Sequence, residues 1–188
     1  MKKIIITAVV CIISLYTYAQ TYTLDKNHTR VGFIATNFYH LQVDGHFKEV
    51  VATLTSKKED LSDAVIVMTA AVNSIDTDND VRDKDLRSAD WFDEAKYPTI
   101  MFKSTSFKKV SSTVYKLNGE ITIHGITKPI FLDVAYGKFL NPTTKKYVVG
   151  FTISGSLNRQ DFKVGAGAPN SVVGDGVQLL ANVEFIVD

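Results

Sequence analysis

From Ile100 to the end of the chain, apolar residues return at every second position in runs separated by short turns, and this alternation constrains the fold more than any other feature. Ile100, Phe102 and Ser104 make the first run, and Tyr115, Leu117, Gly119, Ile121 and Ile123 the next. Ile130, Leu132, Val134 and Tyr136 follow, then Tyr147, Val149, Phe151, Ile153 and Gly155, then Val177, Leu179, Ala181, Val183 and Phe185. A period of two sends alternate side chains to opposite faces of a strand, so every run has one face to bury. His124-Gly125-Ile126-Thr127 fits a hairpin connection ahead of Lys128-Pro129.

The first half is less regular. Val31 and Phe33 alternate with Arg30 and Gly32 between Thr29 and Thr36, and a β-rich run from Gly45 to Thr55 carries Phe47, Val51 and Leu54. Ala64 to Val72 is apolar on both faces, with Val65, Ile66, Val67 and Met68 in succession, which predicts a strand covered by a second element as well as by the core. A short helical insertion is expected around residues 79–90. Asp78 or Asn79 can cap it, Asp80 and Asp83 sit at the positive end of its dipole, and Val81 and Leu86 give it a modest apolar stripe. Trp91, Phe92, Tyr97 and Pro98 then lead back into extended chain, so this segment is expected to lie across one end as a lid or plug.

About eight strands joined by short turns leave two open edges unless the sheet closes on itself. Closure gives an all-β, antiparallel barrel just wide enough for side chains or one small ligand. A two-sheet sandwich satisfies the same periodicity.

Residues 1–19 have the layout of a secretory signal peptide: Lys2 and Lys3, an apolar run from Ile4 to Leu15, and a short stretch ending in Ala19. The run is shorter than the roughly 20 residues a spanning helix needs, so no stable membrane anchor is expected. Residues 20–188 are expected to form one domain, secreted to the periplasm or beyond. Cys11, the single cysteine, lies within the apolar run after Val10, where a lipoprotein cysteine would instead follow a small residue at its end. The mature chain therefore has no disulfide and must be held by its core. Loss of Lys2 and Lys3 takes the formal charge from +1 to −1, and no more than two basic residues adjoin anywhere, so nucleic acid is not the expected partner.

Residues 24–29, Leu24-Asp25-Lys26-Asn27-His28-Thr29, followed by Phe33, His40 and Gly45-His46-Phe47, resemble the opening signature of the YceI-like lipid/polyisoprenoid-binding family. Asp76-Thr77, Arg82-Asp83, Leu86, Trp91-Phe92, Tyr97-Pro98 and Phe102-Lys103-Ser104 resemble its central segment. Gly119 with Ile121 to Lys128 is similar to its strand-turn-strand segment, and Arg159, Asp161 and Phe162 to its late Arg-x-Asp-Phe element, before Val173-Gly174-Asp175. Thr29 departs from the usual Ser, and Lys163 from the Gly common after the Asp-Phe pair. The resemblance implies a lipocalin-like closed antiparallel barrel with a helical insertion, a homodimer, and a lipid-binding role without catalysis or cofactor. The implied ligand is a long-chain isoprenoid, quinone or fatty-acid-like lipid.

The expected lining is the inward set of the alternating strands. It comprises Phe33, Phe47, Ile66 and Met68 from the first half, Phe102, Ile121, Leu132 and Val134 from the middle, and Phe151, Ile153, Leu179 and Val183 from the last strands, with Trp91 and Phe92 near the closure. The same residues would serve equally to fill a solid core. His28, Arg82, Asp83, Arg159 and Asp161 are the polar candidates, either for a lipid head group or for structural ion pairs that fix loops.

Other chemistry has weaker footing. His28, His40, His46 and His124 form no His-x-His or His-x-x-x-His pair, so no metal site is expected. Asp76-Thr77-Asp78-Asn79-Asp80 starts like a calcium loop, but Val81 stands where the turn needs Gly and Arg87 where the bidentate Glu belongs. Gly165-Ala166-Gly167 lacks the third glycine of a dinucleotide fingerprint, and no Ser sits in a nucleophile elbow. Two competitors stand beside the lipid-binding reading: a barrel enzyme acting on a lipid through His28 and His40, and an interaction module with a filled core.

Overall fold

The computed structural model describes residues 20–187, so the expected signal peptide lies outside the described residues. Strands β1 (Gln20–Asn37), β2 (Leu41–Phe47), β3 (Val50–Ser56), β4 (Val65–Ala71) and β5 (Ile75–Asp76) precede a short helix, α1 (Asp80–Arg87). Strands β6 (Thr99–Lys109), β7 (Val114–Ile123), β8 (Ile126–Leu140), β9 (Tyr147–Asn158) and β10 (Val173–Val187) follow it. Neighbours run β1-β3-β4-β6-β7-β8-β9-β10, and β10 pairs back to β1, so an eight-stranded antiparallel barrel closes. Closure settles the choice between barrel and sandwich, and it leaves those strands no free edge.

The closing seam runs from Tyr22↔Val187 to Asn37↔Val173. β1 begins well ahead of the run that alternation predicts from Thr29. Between Asp25 and Arg30 its register slips, with residues 26–29 facing Val183 alone, and this bulge hides the strand's period from the sequence.

The single run read from Gly45 to Thr55 is two strands. At Lys48-Glu49 the chain leaves β1: the Lys48 amide donates to the Ser74 carbonyl and the Glu49 amide to Ser74 Oγ. β2 pairs with the second half of β1 and with β5, whereas β3 pairs with β4 and with the start of β1. The expectation that a further element covers β4 fails, because Val65 and Val67 are exposed on the outer wall while Ile66 and Met68 face inward. β-branched residues suit a pleated outer surface whether or not it is covered.

α1 starts as expected. Asn79 is extended, and its side chain accepts the Arg82 amide. It stops at Arg87, short of residue 90, because Ser88 turns extended and the Phe92 amide returns to the Leu86 carbonyl, folding Trp91 and Phe92 back toward the barrel. The β7–β8 hairpin closes through His124 and Gly125, at φ 52° and 73°, in the doubly left-handed geometry that fits strand twist.

Candidate functional site

The barrel interior is divided along its axis. At the end opposite α1 it is solid: Phe107 stacks on Tyr115 at 4.5 Å between ring centres, Tyr136 meets Tyr115 at 5.3 Å and Phe151 at 5.7 Å, and Phe151 meets Phe185 at 6.1 Å. Tyr115 donates its hydroxyl to the Asp60 carbonyl at 2.8 Å, tying the 57–64 connection over this floor. Burial raises the phenol pKa values of Tyr115 and Tyr136, so both stay neutral and lay no charge beneath the space above them.

That space is a cavity of about 620 Å³. Phe33, Phe47, Ile66, Met68, Trp91, Phe92, Phe102, Ile121, Leu132, Val134, Phe151, Ile153, Leu179 and Val183 all line it. Phe33, Ile66, Met68, Leu132, Ile153 and Leu179 point inward yet are only half-buried, whereas Val134, Phe151 and Phe185 nearer the floor are buried. Inward side chains left half-buried mark a hollow, since a filled core would cover them on every side.

Two glycines show how the lumen stays open. Gly45 pairs with Phe33, and a Cβ placed on it would sit 2.5 Å from the Phe33 ring. A Cβ on Gly119 would sit 2.4 Å from the Phe102 ring. Each ring lies against the wall in the niche its glycine leaves, instead of projecting across the bore.

The mouth is at the α1 end, where exposed Asn79, Val81 and Asp85 share the lining with Thr36, Asn37 and Arg82. The lining extends beyond the expected set to Val31, Ala35, Leu117, Ile130, Val177 and Ala181, among others. The alternation itself carries their signal, since each lies two residues from one of the expected set or on the same run.

The polar candidates separate by position. Arg159 is 3% exposed and donates from Nε to the Gly174 carbonyl, from Nη1 to those of Val164 and Gly165, and from Nη2 to those of Ala168 and Val173, with Asp175 at 2.9 Å. Arg159 is among the lining residues, but its donors are spent on tying the β9–β10 connection. Asp161 is exposed and meets Lys128 at 3.2 Å, so it pairs with neither Arg159 nor the cavity. Buried Asp83 accepts the amide and hydroxyl of Thr77, and Arg82 donates through Nε to the Thr77 hydroxyl at 2.7 Å and through Nη2 to its carbonyl. Both lock α1 to the chain before it, and of the two only Arg82 also reaches the lining.

None of the four histidines is among the lining residues. His28 stands on the outer wall, hydrogen-bonded to Asp25 at 3.0 Å; this bond raises the His28 pKa and lowers that of Asp25. His40 is exposed in the β1–β2 turn, and His124 Nδ1 lies 3.1 Å from the Phe162 carbonyl. The arrangement therefore brings no imidazole to the cavity that an enzyme reading needs.

Comparison with known proteins agrees with this architecture. The YceI-like domain matches residues 22–185. A UPF0312 protein, plu2095, of Photorhabdus laumondii is 32% identical over 172 residues, covering 89% of this chain and 87% of that protein. Protein YceI of Escherichia coli O6:H1 is 33% identical over 149 residues, covering 78% and 77%. Among solved structures, BcnA of Burkholderia cenocepacia superposes with a TM-score of 0.76 at 22% identity, covering 86% of this chain and 98% of that one. A structure described as a polyisoprenoid binding domain from Saccharophagus degradans superposes at 0.65 and 15% identity, covering 89% and 98%, which is a likeness of fold.

Proposed function

The chain belongs to the YceI-like domain family, and from that premise we propose that it is a secreted, periplasmic binding protein that carries a polyisoprenoid or another long-chain amphiphile, such as a quinone or fatty acid, inside the barrel. The observation that carries this reading is the dead-ended apolar cavity of about 620 Å³. Its volume falls within the ~300–1,000 Å³ of small-molecule sites, and its floor is aromatic rather than ionic. The binding role described for the Saccharophagus domain points the same way.

The energetics are those of area removed from water. At ~30 Å³ per water-sized group the cavity holds on the order of 20 carbon-sized groups. At ~0.8 kcal/mol each they contribute about 16 kcal/mol gross. Association costs ~4–15 kcal/mol, and micromolar affinity, about −8 kcal/mol, lies inside the resulting range. A chain with no polar groups can thus be held without special chemistry.

The test is extraction. Protein isolated from the bacterial envelope without detergent, treated with organic solvent and analysed by mass spectrometry, should release a long-chain lipid in near-stoichiometric amount, and its N-terminus should begin at Gln20. Leu132→Trp, which projects an indole into the hollow, should keep the fold by circular dichroism and lose the lipid. A protein that carries no lipid and does not bind geranylgeraniol in competition with a hydrophobic fluorophore would sink the proposal.

A further inference from the structure

The β1 bulge brings together a set of side chains that the cavity does not use. Among the described residues, Asp25, His28 and Glu184 offer one ligand atom each within 4.8 Å of one another. His28 Nδ1 lies 3.0 Å from Asp25 Oδ2 and 3.6 Å from Glu184 Oε1. Around a tetrahedral zinc, whose bonds to nitrogen and oxygen are about 2.0–2.2 Å, neighbouring donor atoms stand roughly 3.2–3.6 Å apart. The His28–Glu184 spacing falls at the top of that range, the His28–Asp25 spacing just below it, and Asp25 and Glu184 lie within 4.8 Å of each other.

Two further observations separate this cluster from an ordinary surface ion pair. The Glu184 and Asp25 side chains are each only 19% exposed. Glu184 accepts no hydrogen bond through its carboxylate from the described residues, its nearest partner being His28 at 3.6 Å. Its oxygens are not buried, since no buried side-chain oxygen among the described residues lacks a partner, so a cation arriving from solution can reach them. The frame is also fixed. Asp25 Oδ1 takes the Asn27 amide at 2.9 Å, Thr29 donates its hydroxyl to the Asp25 carbonyl at 2.7 Å, and the Glu184 amide reaches the same hydroxyl at 3.4 Å. Such outer contacts orient metal ligands before the metal arrives.

We propose that Asp25, His28 and Glu184 form a zinc-type divalent cation site on the outer wall of the barrel, completed by water, which clasps the first strand to the last. An imidazole with two carboxylates is a borderline nitrogen and oxygen donor set, suited to zinc more than to calcium or magnesium, which take oxygen ligands. The site is separate from the lumen: Val183 and Phe185, on either side of Glu184, point inward, and Glu184 points out. The cation would join residues at opposite ends of the chain across the seam that closes the fold.

The experiment uses untagged mature protein stripped with chelator. Calorimetric titration with zinc chloride should give one site per chain, and zinc at 100 times its dissociation constant should raise the melting temperature by about 5–10 °C. Glu184→Gln and His28→Ala should each weaken binding at least tenfold, and His46→Ala should leave it unchanged. Cobalt(II) added to the unaltered protein should show the intense visible bands of a tetrahedral site, a readout that needs no variant to fold. No stoichiometric binding by the unaltered protein, or binding that survives both substitutions, would overturn the assignment.

Discussion

Arg159 lies at the cavity wall, yet its contribution is to the frame around it. Its guanidinium gathers the carbonyls of Val164, Gly165, Ala168, Val173 and Gly174 and the Asp175 carboxylate, so a connection with little regular structure is organised around one cation. Arginine suits this place because its donors form a rigid planar fork, which the point charge of a lysine cannot reproduce. Truncation leaves those acceptors shielded and unpaired, and we expect Arg159→Ala to cost about 3–5 kcal/mol by urea denaturation. Arg159→Lys should recover only part of it. Lipid affinity of the folded fraction should change little, because no donor is left for a head group; intact stability with lost binding would contradict this. The same connection explains why a glycine is common at position 163: Lys163 sits at φ 57°, in the left-handed region that glycine adopts without strain, and its amide closes the 3₁₀ turn on the Gln160 carbonyl.

At the scale of the strand, the question is why inward-facing rings leave a hollow. Phe102 projects from β6 toward the lumen, and its ring lies over Gly119 of β7. Gly119→Ala should drive the ring off the wall at a cost of about 1–3 kcal/mol, and should weaken binding of a long-chain lipid about tenfold or more. Gly150→Ala, where an added Cβ meets nothing within 4 Å, serves as the control and should alter neither property. Equal effects of the two substitutions in calorimetry and binding would remove the niche argument. This also marks how far the sequence could be read. Strand faces were legible because the period of two survives in β7 to β10 and in β6 as far as Ser104, after which a bulge puts buried Phe107 out of step, and so was the capped helix, through Asn79. The emptiness was not legible, because Phe102 and Leu132 carry the same alternation whether they meet across a core or lie against a wall. Nor was the bulge at residues 26–29, where local hydrogen bonds to Asp25 override the strand period. Glu184 therefore gave no sign that it faces His28.

For the whole molecule, the closed floor and open mouth turn the barrel into a measure of length. The stack from Phe107 through Tyr115 and Tyr136 to Phe151 bars passage at one end, so a chain must enter and leave past Val81, Arg82 and Asp85 at the other. Under the proposed function a tail would go in first and its polar head would stay near the mouth, since burying a head group against the aromatic floor would strip its hydrogen bonds. Each five-carbon unit enclosed contributes roughly 4 kcal/mol gross, less the ordering of its rotatable bonds at about 0.5–1.5 kcal/mol for a flexible group. Affinity for a series of prenyl alcohols should therefore strengthen by tenfold or more per unit. The gain should stop after about four units, when a cavity of about 620 Å³ is full at ~30 Å³ per carbon-sized group. Longer chains should bind no tighter and should leave their excess outside, open to chemical modification from solvent. A titration in which affinity kept climbing to ten units would mean that the floor opens, and the barrel would have to be a tunnel instead of a cup.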